Sequence, residues 1–310
     1  MNNINLAIEL LKSGEPVVAP TDTVYGLFGD AKSDTAIKKI YEIKERPSFN
    51  PLIAHVSSVE MAEKLAYFND YAHKLTRHFW FDLKRPLTIV LSLKPESGIS
   101  KHVTAGLDTI ALRCPSHPLA LELISAFGNP LAAPSANTSN HLSPTSADMV
   151  RADLGNKVKL ILDGGVCSVG LESTILNMSQ KPYTLLRHGA VTQSEIESVL
   201  NIKITVPSKT EKVIAPGMML KHYSPYLPLR INVTDPYPDE AFIAFGKTDK
   251  PYFLNLSPTG DLAEVAKNLF DFLYKADNAG NFKRIAIMPI PNVGIGLAIN
   301  DRLKRAASNY

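Results

Sequence analysis

The chain has 310 residues, 45% hydrophobic and 20% charged, with a formal net charge of +3. That is the balance of a water-facing globular protein long enough for two domains, without the dense Lys/Arg runs of a dedicated nucleic-acid binder. No apolar stretch approaches the roughly 18 residues needed to span a bilayer, no basic leader with a cleavage site opens the chain, and the two cysteines, Cys114 and Cys167, lack metal-ligand spacing, so a reduced, cytoplasmic setting is expected.

In chain order, Ile4, Ala7, Ile8 and Leu11 predict a first helix over Asn3–Lys12, stopped by Gly14. A β-branched strand, Val17–Ala19, runs into the polar turn Thr21-Asp22-Thr23 and Tyr25-Gly26, and a helix over Asp34–Ile43 follows with Ile37, Ile40 and Tyr41 on one face. Pro47 ends it after Lys44-Glu45-Arg46, because the residue before a proline is driven out of helical geometry. Lys44 and Arg46 are too close to share a helical face, so aiming both inward requires a backbone break; the bland alternative is a helix C-terminus whose cations answer its dipole. Asn50-Pro51 then opens a strand over Leu52–Val56 that carries His55. Further strands are expected at Leu87–Leu93, Thr109–Arg113, Leu160–Leu162, Ser173–Asn177 and Tyr183–Arg187, and further helices at Val59–Ala66, Tyr71–Phe79, Pro118–Phe127, Ser146–Leu154 and Thr192–Leu200, the last opened by a Thr192/Glu195 capping box.

This interleaving predicts an α/β domain over residues 1–206. Its last strands are too close in sequence for helical crossovers, so the sheet should be mixed. Residues 207–228 break the pattern with prolines at 207, 216, 225 and 228. A linker is the default reading. Met218, Met219, His222, Tyr223 and Tyr226 are too large and apolar for a solvated spacer, and favour a linker packed over a site. From 229 to 310 a smaller α/β unit is expected, with strands at Phe242–Phe245 and Ile285–Ile287, a helical stripe from Leu262 to Leu273 and a closing helix over Ile299–Ala307.

Two motifs are decoys. Ala241 to Thr248 fits a loose P-loop pattern, but Phe-Ile-Ala-Phe reads as strand where the phosphate cradle needs glycine-rich loop, and Pro251 follows where a helix should begin. Gly294-Ile-Gly296 lacks the third glycine of a dinucleotide fingerprint and reads as a turn. The histidines show no zinc spacing, and no G-x-S-x-G elbow offers a nucleophile. What recurs are strand ends bearing hydroxyls, amides or cations: Thr104 to Asp108 before the Thr109 strand, Ala133-Pro134-Ser135-Ala136-Asn137 running to Ser143, Glu172-Ser173-Thr174, and Arg187-His188-Gly189. Each alone is a turn. Together they form a polar rim suited to positioning an anionic nucleotide and a small polar partner, in the crevice where open α/β sheets bind ligands.

The motifs PTDTVYGL, K-x-R (Lys44, Arg46), NPLIAHV, TAGLDTIALRCPSHP, APSANTSN with its S-x-N (Ser135, Asn137), SPT, GLESTI and LLRHGAV, followed by PGMMLKHYSP, NLSPTGDLAEVAKNLF and AINDRLKRAA, resemble the threonylcarbamoyl-AMP synthases of the Sua5/YrdC family in the longer, two-domain Sua5 form. The likeness runs over nearly the whole chain, although the stretch between the linker and Asn255 is shorter than in typical members. It implies a YrdC-like twisted mixed sheet flanked by helices (1–206), a linker that closes over the active site (207–228) and a smaller Rossmann-like α/β domain (229–310). The implied reaction joins L-threonine, bicarbonate and ATP into threonylcarbamoyl-AMP, diphosphate and water, the first step of tRNA threonylcarbamoyladenosine formation.

The resemblance further implies that Thr23, His55, Asp108, the Ala133 backbone and Ser173 hold threonine, with Asp108 on its ammonium group. Arg46, Asn50, Thr104, Ser135, Ser143, Arg187, Tyr223 and Ser224 would hold ATP, with Lys44 and Asn137 completing the K-x-R/S-x-N set. Lys44 and Arg46 would be the main transition-state stabilisers, and Mg²⁺ would come with the ATP phosphates without a nameable protein ligand set. The product would pass to a downstream threonylcarbamoyl transferase complex acting on tRNA, any direct tRNA contact being weak, with no membrane partner. Two rivals are weighed against this: an RNA-binding module, and another carbamoyl-adenylate enzyme akin to a domain of the hydrogenase-maturation carbamoyltransferases, whose zinc-finger and acylphosphatase-like segments do not occur here.

Overall fold

The computed structural model describes residues 3–207 and 223–308, so the candidate linker side chains Met218, Met219 and His222 lie outside the described residues. Along the first unit run α1 (Asn3–Lys12), β1 (Val17–Ala19), β2 (Gly26–Asp30), α2 (Asp34–Lys44), β3 (Ile53–His55), α3 (Val59–Glu63), α4 (Asp70–Thr76), β4 (Leu87–Ser92), α5 (Lys101–Thr104), β5 (Thr109–Arg113), α6 (Pro118–Phe127), β6 (Leu131–Ala133), α7 (Ala147–Leu154), β7 (Thr174–Asn177), β8 (Thr184–Arg187) and α8 (Gln193–Leu200). The strands form one sheet in the order β1-β2-β6-β3-β5-β4-β7-β8. Only β3/β5 and β4/β7 pair in parallel, so the sheet is mixed, as the short connections require.

Sequence reasoning misses β2. The stretch after Tyr25 reads as a turn leading to a helix, yet it folds back antiparallel on β1, pairing Val18 with Leu27. Its glycines hide the strand signal, since Gly26 packs against the ring of Phe28 and Gly29 against Ile40 and Ala36, where larger side chains would not fit. Residues 160–162 are not a full strand. They make one parallel bridge, Val18 with Ile161, held by backbone bonds of 2.9 and 2.8 Å on either side of Val18. The helix expected to run to Phe79 leaves α geometry at Arg77, and Arg77–Asp82 forms a π-helical turn.

Period-two alternation divides the sheet into two unlike faces. On one, Ala54, Ile89, Leu91, Ile110, Leu112 and Leu176 pack with α3, α4 and α8, while Leu27 and Ala132 join α2 and α7. On the other, α1 and α6 cover β1, Phe28 of β2 and β6. Beyond them only a thin layer, Ile53, Val90, Ala111 and Ile175, lines the sheet.

The second unit comprises β9 (Leu229–Arg230), β10 (Glu240–Ala244), β11 (Leu254–Asn255), α9 (Leu262–Asp277), β12 (Arg284–Ile287) and α10 (Gly296–Ala307). Its strands lie in the order β11-β10-β12-β9, all parallel, the layout expected of a Rossmann-like unit. The P-loop decoy is strand β10, and Gly294 is a turn leading into α10. Val24, Leu142, Leu171 and Tyr223 pack within the core of this unit, so the two units share an apolar seam. Gly170 allows a close approach across that seam: a Cβ there would lie 2.5 Å from the carbonyl oxygen of Ala266 in α9.

Candidate functional site

A partly open cavity lies over the thin face of the sheet, lined among others by Thr23, His55, Arg113, Ala133, Ser135, Glu172, Arg187 and Tyr223. His55, Arg113, Ala133 and Arg187 are each the last residue of a strand, so the cavity gathers the strand ends that the sequence singled out. His55 and Arg113 stand opposite each other in the β3/β5 register, with Ile53 two residues before His55 on the same face. Ala133 pairs with Ile53 from β6. Small residues at Gly26 and Ala133 leave the space, and Tyr223 closes one side.

One turn positions the polar wall. The Thr21 hydroxyl donates to the Val24 carbonyl at 2.7 Å and accepts from the Thr23 amide at 3.2 Å, fixing the PTDT turn. Arg113 Nη1 then donates to Thr23 Oγ1 at 2.7 Å and Nη2 to Asp22 Oδ1 at 2.6 Å, an ion pair 3–4% exposed. Asp22 Oδ2, His55 Nδ1 and Arg113 Nε are buried without a hydrogen-bond partner among the described residues. Leaving such an atom unsatisfied costs about 1–3 kcal/mol, so the two on residues of the cavity wall, His55 and Arg113, point to a polar ligand. Ser173 lies just behind: it accepts from Arg187, Nε to its carbonyl at 2.9 Å and Nη2 to its hydroxyl at 3.1 Å, and shares a 2.7 Å bond with Thr88.

Burial, reinforced by Arg113, pushes the His55 imidazole down to about 3 from an ordinary 6.5. It is therefore neutral at physiological pH, a hydrogen-bonding group rather than a charge. An unfolded chain binds a proton at this residue below about 6.5 and the folded one does not, so stability falls as pH drops through that window, by up to about 1.4 kcal/mol per pH unit. Urea unfolding of wild type and His55→Gln across these pH values should show a shallower acid loss in the variant; parallel curves would refute the assignment.

The K-x-R set is built at the end of α2. Ser33 caps its start by accepting from the Ala36 amide, and Glu45 ends it in a left-handed turn (φ 53°). That turn is the break needed between Lys44 and Arg46. Lys44 is 1% exposed, and its Nζ donates to the carbonyl of Ser135 at 2.6 Å and to that of Asn137. Burial, then Arg46, holds its pKa well below the lysine range. Lys44 thus joins K-x-R to S-x-N, with its ammonium on the loop carbonyls; it is not among the residues lining the cavity. Arg46 donates from Nε to the Asn50 carbonyl at 3.2 Å and from Nη2 to the Pro51 carbonyl at 2.9 Å. Burial lowers it to about 10, still a cation at neutral pH. Asn137 spends its amide nitrogen on the carbonyls of Thr138 and His141, and its buried Oδ1 has no partner among the described residues.

Other expected residues fall elsewhere. Asp108 is exposed just before β5, while Arg113 ends that strand, five residues or roughly 17 Å away at strand rise. It does not line the cavity, and the charge facing the pocket from this strand is Arg113. Thr104 ends α5 buried, its hydroxyl turned back to the Lys101 carbonyl at 3.3 Å. Ser143 reaches the wall indirectly, donating to Glu172 at 2.5 Å. Ser224 faces a neighbouring pocket shared with His141, Asp153, Tyr226 and Asp277. Sequence reasoning also passes over Asp22, Arg113 and Glu172 as site residues; the readable signal for the first two is a lone cation ending an apolar strand and a lone carboxylate inside a threonine turn.

Burial raises both thiols, Cys114 and Cys167, to about 12, which leaves neither activated as a nucleophile. Among the described residues no three His, Cys, Asp or Glu side chains gather as a metal site. No helix of the described residues is long and apolar enough to cross a membrane.

A cationic, hydroxyl-rimmed cavity on a mixed α/β sheet, walled in part by residues packed in a second parallel α/β unit, defines a two-unit α/β protein with a polar ligand site. Residues 9–189 match the Sua5/YciO/YrdC family model, described as telomere recombination, and residues 191–308 match the C-terminal domain of threonylcarbamoyl-AMP synthase. The chain is 39% identical to the threonylcarbamoyl-AMP synthase of Bacillus subtilis (strain 168) over 97% of this chain and 92% of that protein. It is 37% identical to that of Pyrococcus abyssi over 98% and 94%. The crystal structure of P. abyssi Sua5 complexed with L-threonine superimposes with a TM-score of 0.89 at 34% identity, covering 98% of this chain and 94% of that one. The chain belongs to the threonylcarbamoyl-AMP synthase family, in its two-domain Sua5 form.

Proposed function

We propose that this chain is an L-threonylcarbamoyladenylate synthase, a nucleotidyltransferase that converts L-threonine, bicarbonate and ATP into threonylcarbamoyl-AMP, diphosphate and water for tRNA threonylcarbamoyladenosine formation. The observation that carries the reading is the cavity itself: buried cations and unsatisfied polar atoms in one wall, with no activated protein nucleophile beside them. The chemistry requires none. Threonine's amino group attacks the carbon of bicarbonate, water leaves, and the resulting carbamate oxygen attacks the α-phosphorus and expels diphosphate. The protein's contribution is orientation and charge neutralisation.

In this reading Thr23, His55, the Ala133 backbone and Ser173 surround threonine, Arg113 takes its carboxylate, and Asp108, outside the cavity lining, does not hold its ammonium group. Asn50, Ser135, Asn137, Ser143, Arg187 and Tyr223 serve the nucleotide, Tyr223 from the cavity wall and Ser224 from the neighbouring pocket. Arg46 stabilises the charge that develops at phosphorus, and Lys44 acts with it by fixing the Ser135–Asn137 loop. The oxygens present (hydroxyls and the Asn137 amide, without a carboxylate cluster) fit a Mg²⁺ that arrives on the triphosphate. That ion would neutralise phosphate charge. A reduced cytoplasmic setting, supported by two buried free thiols, and hand-over of the product to a threonylcarbamoyl transferase complex on tRNA complete the proposal.

The test is diphosphate release from ATP and Mg²⁺ with threonine and bicarbonate omitted in turn. Release must require both; release indifferent to threonine would point to another acceptor. Arg46→Ala should lower kcat by about 10²-fold, the usual scale for one lost charge-stabilising donor, and near-normal turnover would remove Arg46 from its role.

A further inference from the structure

The carboxylate of Glu172 lines a cavity that, in the reading above, takes a polyanion. An anion in such a wall repels the ligand unless it is neutralised. Arg187 of the same wall faces it electrostatically, and the direct ion pair of Glu172 comes from the other unit. Arg302 of α10, 1% exposed, donates from Nε to Glu172 Oε2 at 3.0 Å and from Nη1 to the His188 carbonyl at 2.8 Å. It also meets Asp301 at 3.1 Å, and its guanidinium carbon lies 5.5 Å from the centre of the Tyr223 ring. The other oxygen of Glu172 accepts from Ser143 at 2.5 Å. One guanidinium from the second unit therefore reaches three features of the cavity wall: the Glu172 charge, the Ser143 hydroxyl through it, and the Tyr223 ring.

We propose that Arg302 is a positioning residue for the nucleotide: by neutralising and fixing Glu172 and bracing Tyr223, it makes the C-terminal unit part of the nucleotide side of the cavity. This rests on the proposed reaction. A plain interdomain ion pair would affect stability and both substrates alike. The positioning role is selective, because threonine's expected contacts, Thr23, His55, Arg113 and Ser173, receive no hydrogen bond from Arg302; Ser173, which follows Glu172, is held by Arg187 and Thr88.

The experiment is steady-state diphosphate release by the full chain, with ATP and threonine varied separately, for wild type, Arg302→Met, Arg302→Lys and the double variant Glu172→Gln/Arg302→Met. Arg302→Met should raise the KM for ATP about tenfold, as loss of one partner of a buried charge pair leaves the other uncompensated, with the KM for threonine within about twofold. The double variant removes both charges and should return the ATP KM to within about threefold of wild type, and Arg302→Lys should fall between. Equal rises in both KM values, or a double variant no better than Arg302→Met, would overturn the role. If Arg302→Met does not fold, the double variant, which buries no orphan charge, decides: an ATP KM about tenfold above wild type overturns the charge argument. Failure of wild type to need threonine and bicarbonate would instead overturn the reaction itself.

Discussion

Arg113→Ala should reduce threonine-dependent diphosphate release by roughly 10²–10³-fold, mostly through kcat/KM for threonine. Arg113 is the buried cation that faces the cavity from β5, fixed at 2.6 and 2.7 Å on Asp22 and Thr23. A charge-assisted hydrogen bond in such a site contributes about 1.5–3 kcal/mol, and loosening the Thr23 turn adds a positional penalty. The same change leaves Asp22 buried without its cation, which costs about 3–5 kcal/mol of stability. Activity and folding can be separated. Asp22→Asn/Arg113→Met carries no orphaned charge and should recover most of the lost thermal stability while staying inactive. Asp108→Ala, by contrast, should leave threonine kinetics within about twofold, since an exposed side chain roughly 17 Å along the strand from Arg113 makes no contact with the pocket. If Asp108→Ala proved the more damaging, the placement of the amino-acid subsite on Arg113 would be wrong.

Gly170→Ala should disrupt the union of the two units. Gly170 has φ +78°, a conformation that disfavours any side chain by about 1–2 kcal/mol. Its added Cβ would also lie 2.5 Å from the Ala266 carbonyl oxygen and 2.6 Å from Lys267 Cα. These are backbone atoms of α9, so relief requires the helix to move. The sum should be about 2–4 kcal/mol by thermal or urea unfolding. Gly128→Ala is the control: its φ is +81° but nothing lies within 4 Å of the new methyl, so it carries only the conformational cost. A difference of less than about 0.5 kcal/mol between the two would show that the seam gives way easily. Because α9 and α10, the helix that carries Arg302, share one packed core, Gly170→Ala should also raise the ATP KM more than Gly128→Ala does.

The helices that could be read from sequence are those with a strong stripe and a defined stop. α1 and α6 begin and end where expected, since Gly14 and Gly128 follow them, and α8 opens with the Thr192/Glu195 capping box seen in the chain. Lys44, Arg46, Ser135 and Asn137 were likewise visible as motifs, and so was the need for a break between Lys44 and Arg46, which Glu45 supplies by entering the left-handed region. All of these are local: spacing, caps and φ preference act within a few residues. β2 was hidden for the opposite reason. Gly26 and Gly29 are poor strand formers, and only the packing of Phe28, Ile40 and Ala36 shows why glycine is required.

What the sequence by itself determined, then, is the order and kind of most elements, the family resemblance and the chemistry of its rim. The tertiary structure alone decided which of those groups meet. Whether Asp108 or Arg113 faces the ligand depends on which end of β5 stands beside His55, and that is set by strand register, a non-local property. Lys44 was legible as a cation but not as the clasp of the Ser135–Asn137 loop, about ninety residues away. Glu172 and Arg302 are 130 residues apart. No pattern along the chain couples them, because their pairing arises from the docking of two units across an apolar seam, where burial makes an unpaired charge too costly to leave alone.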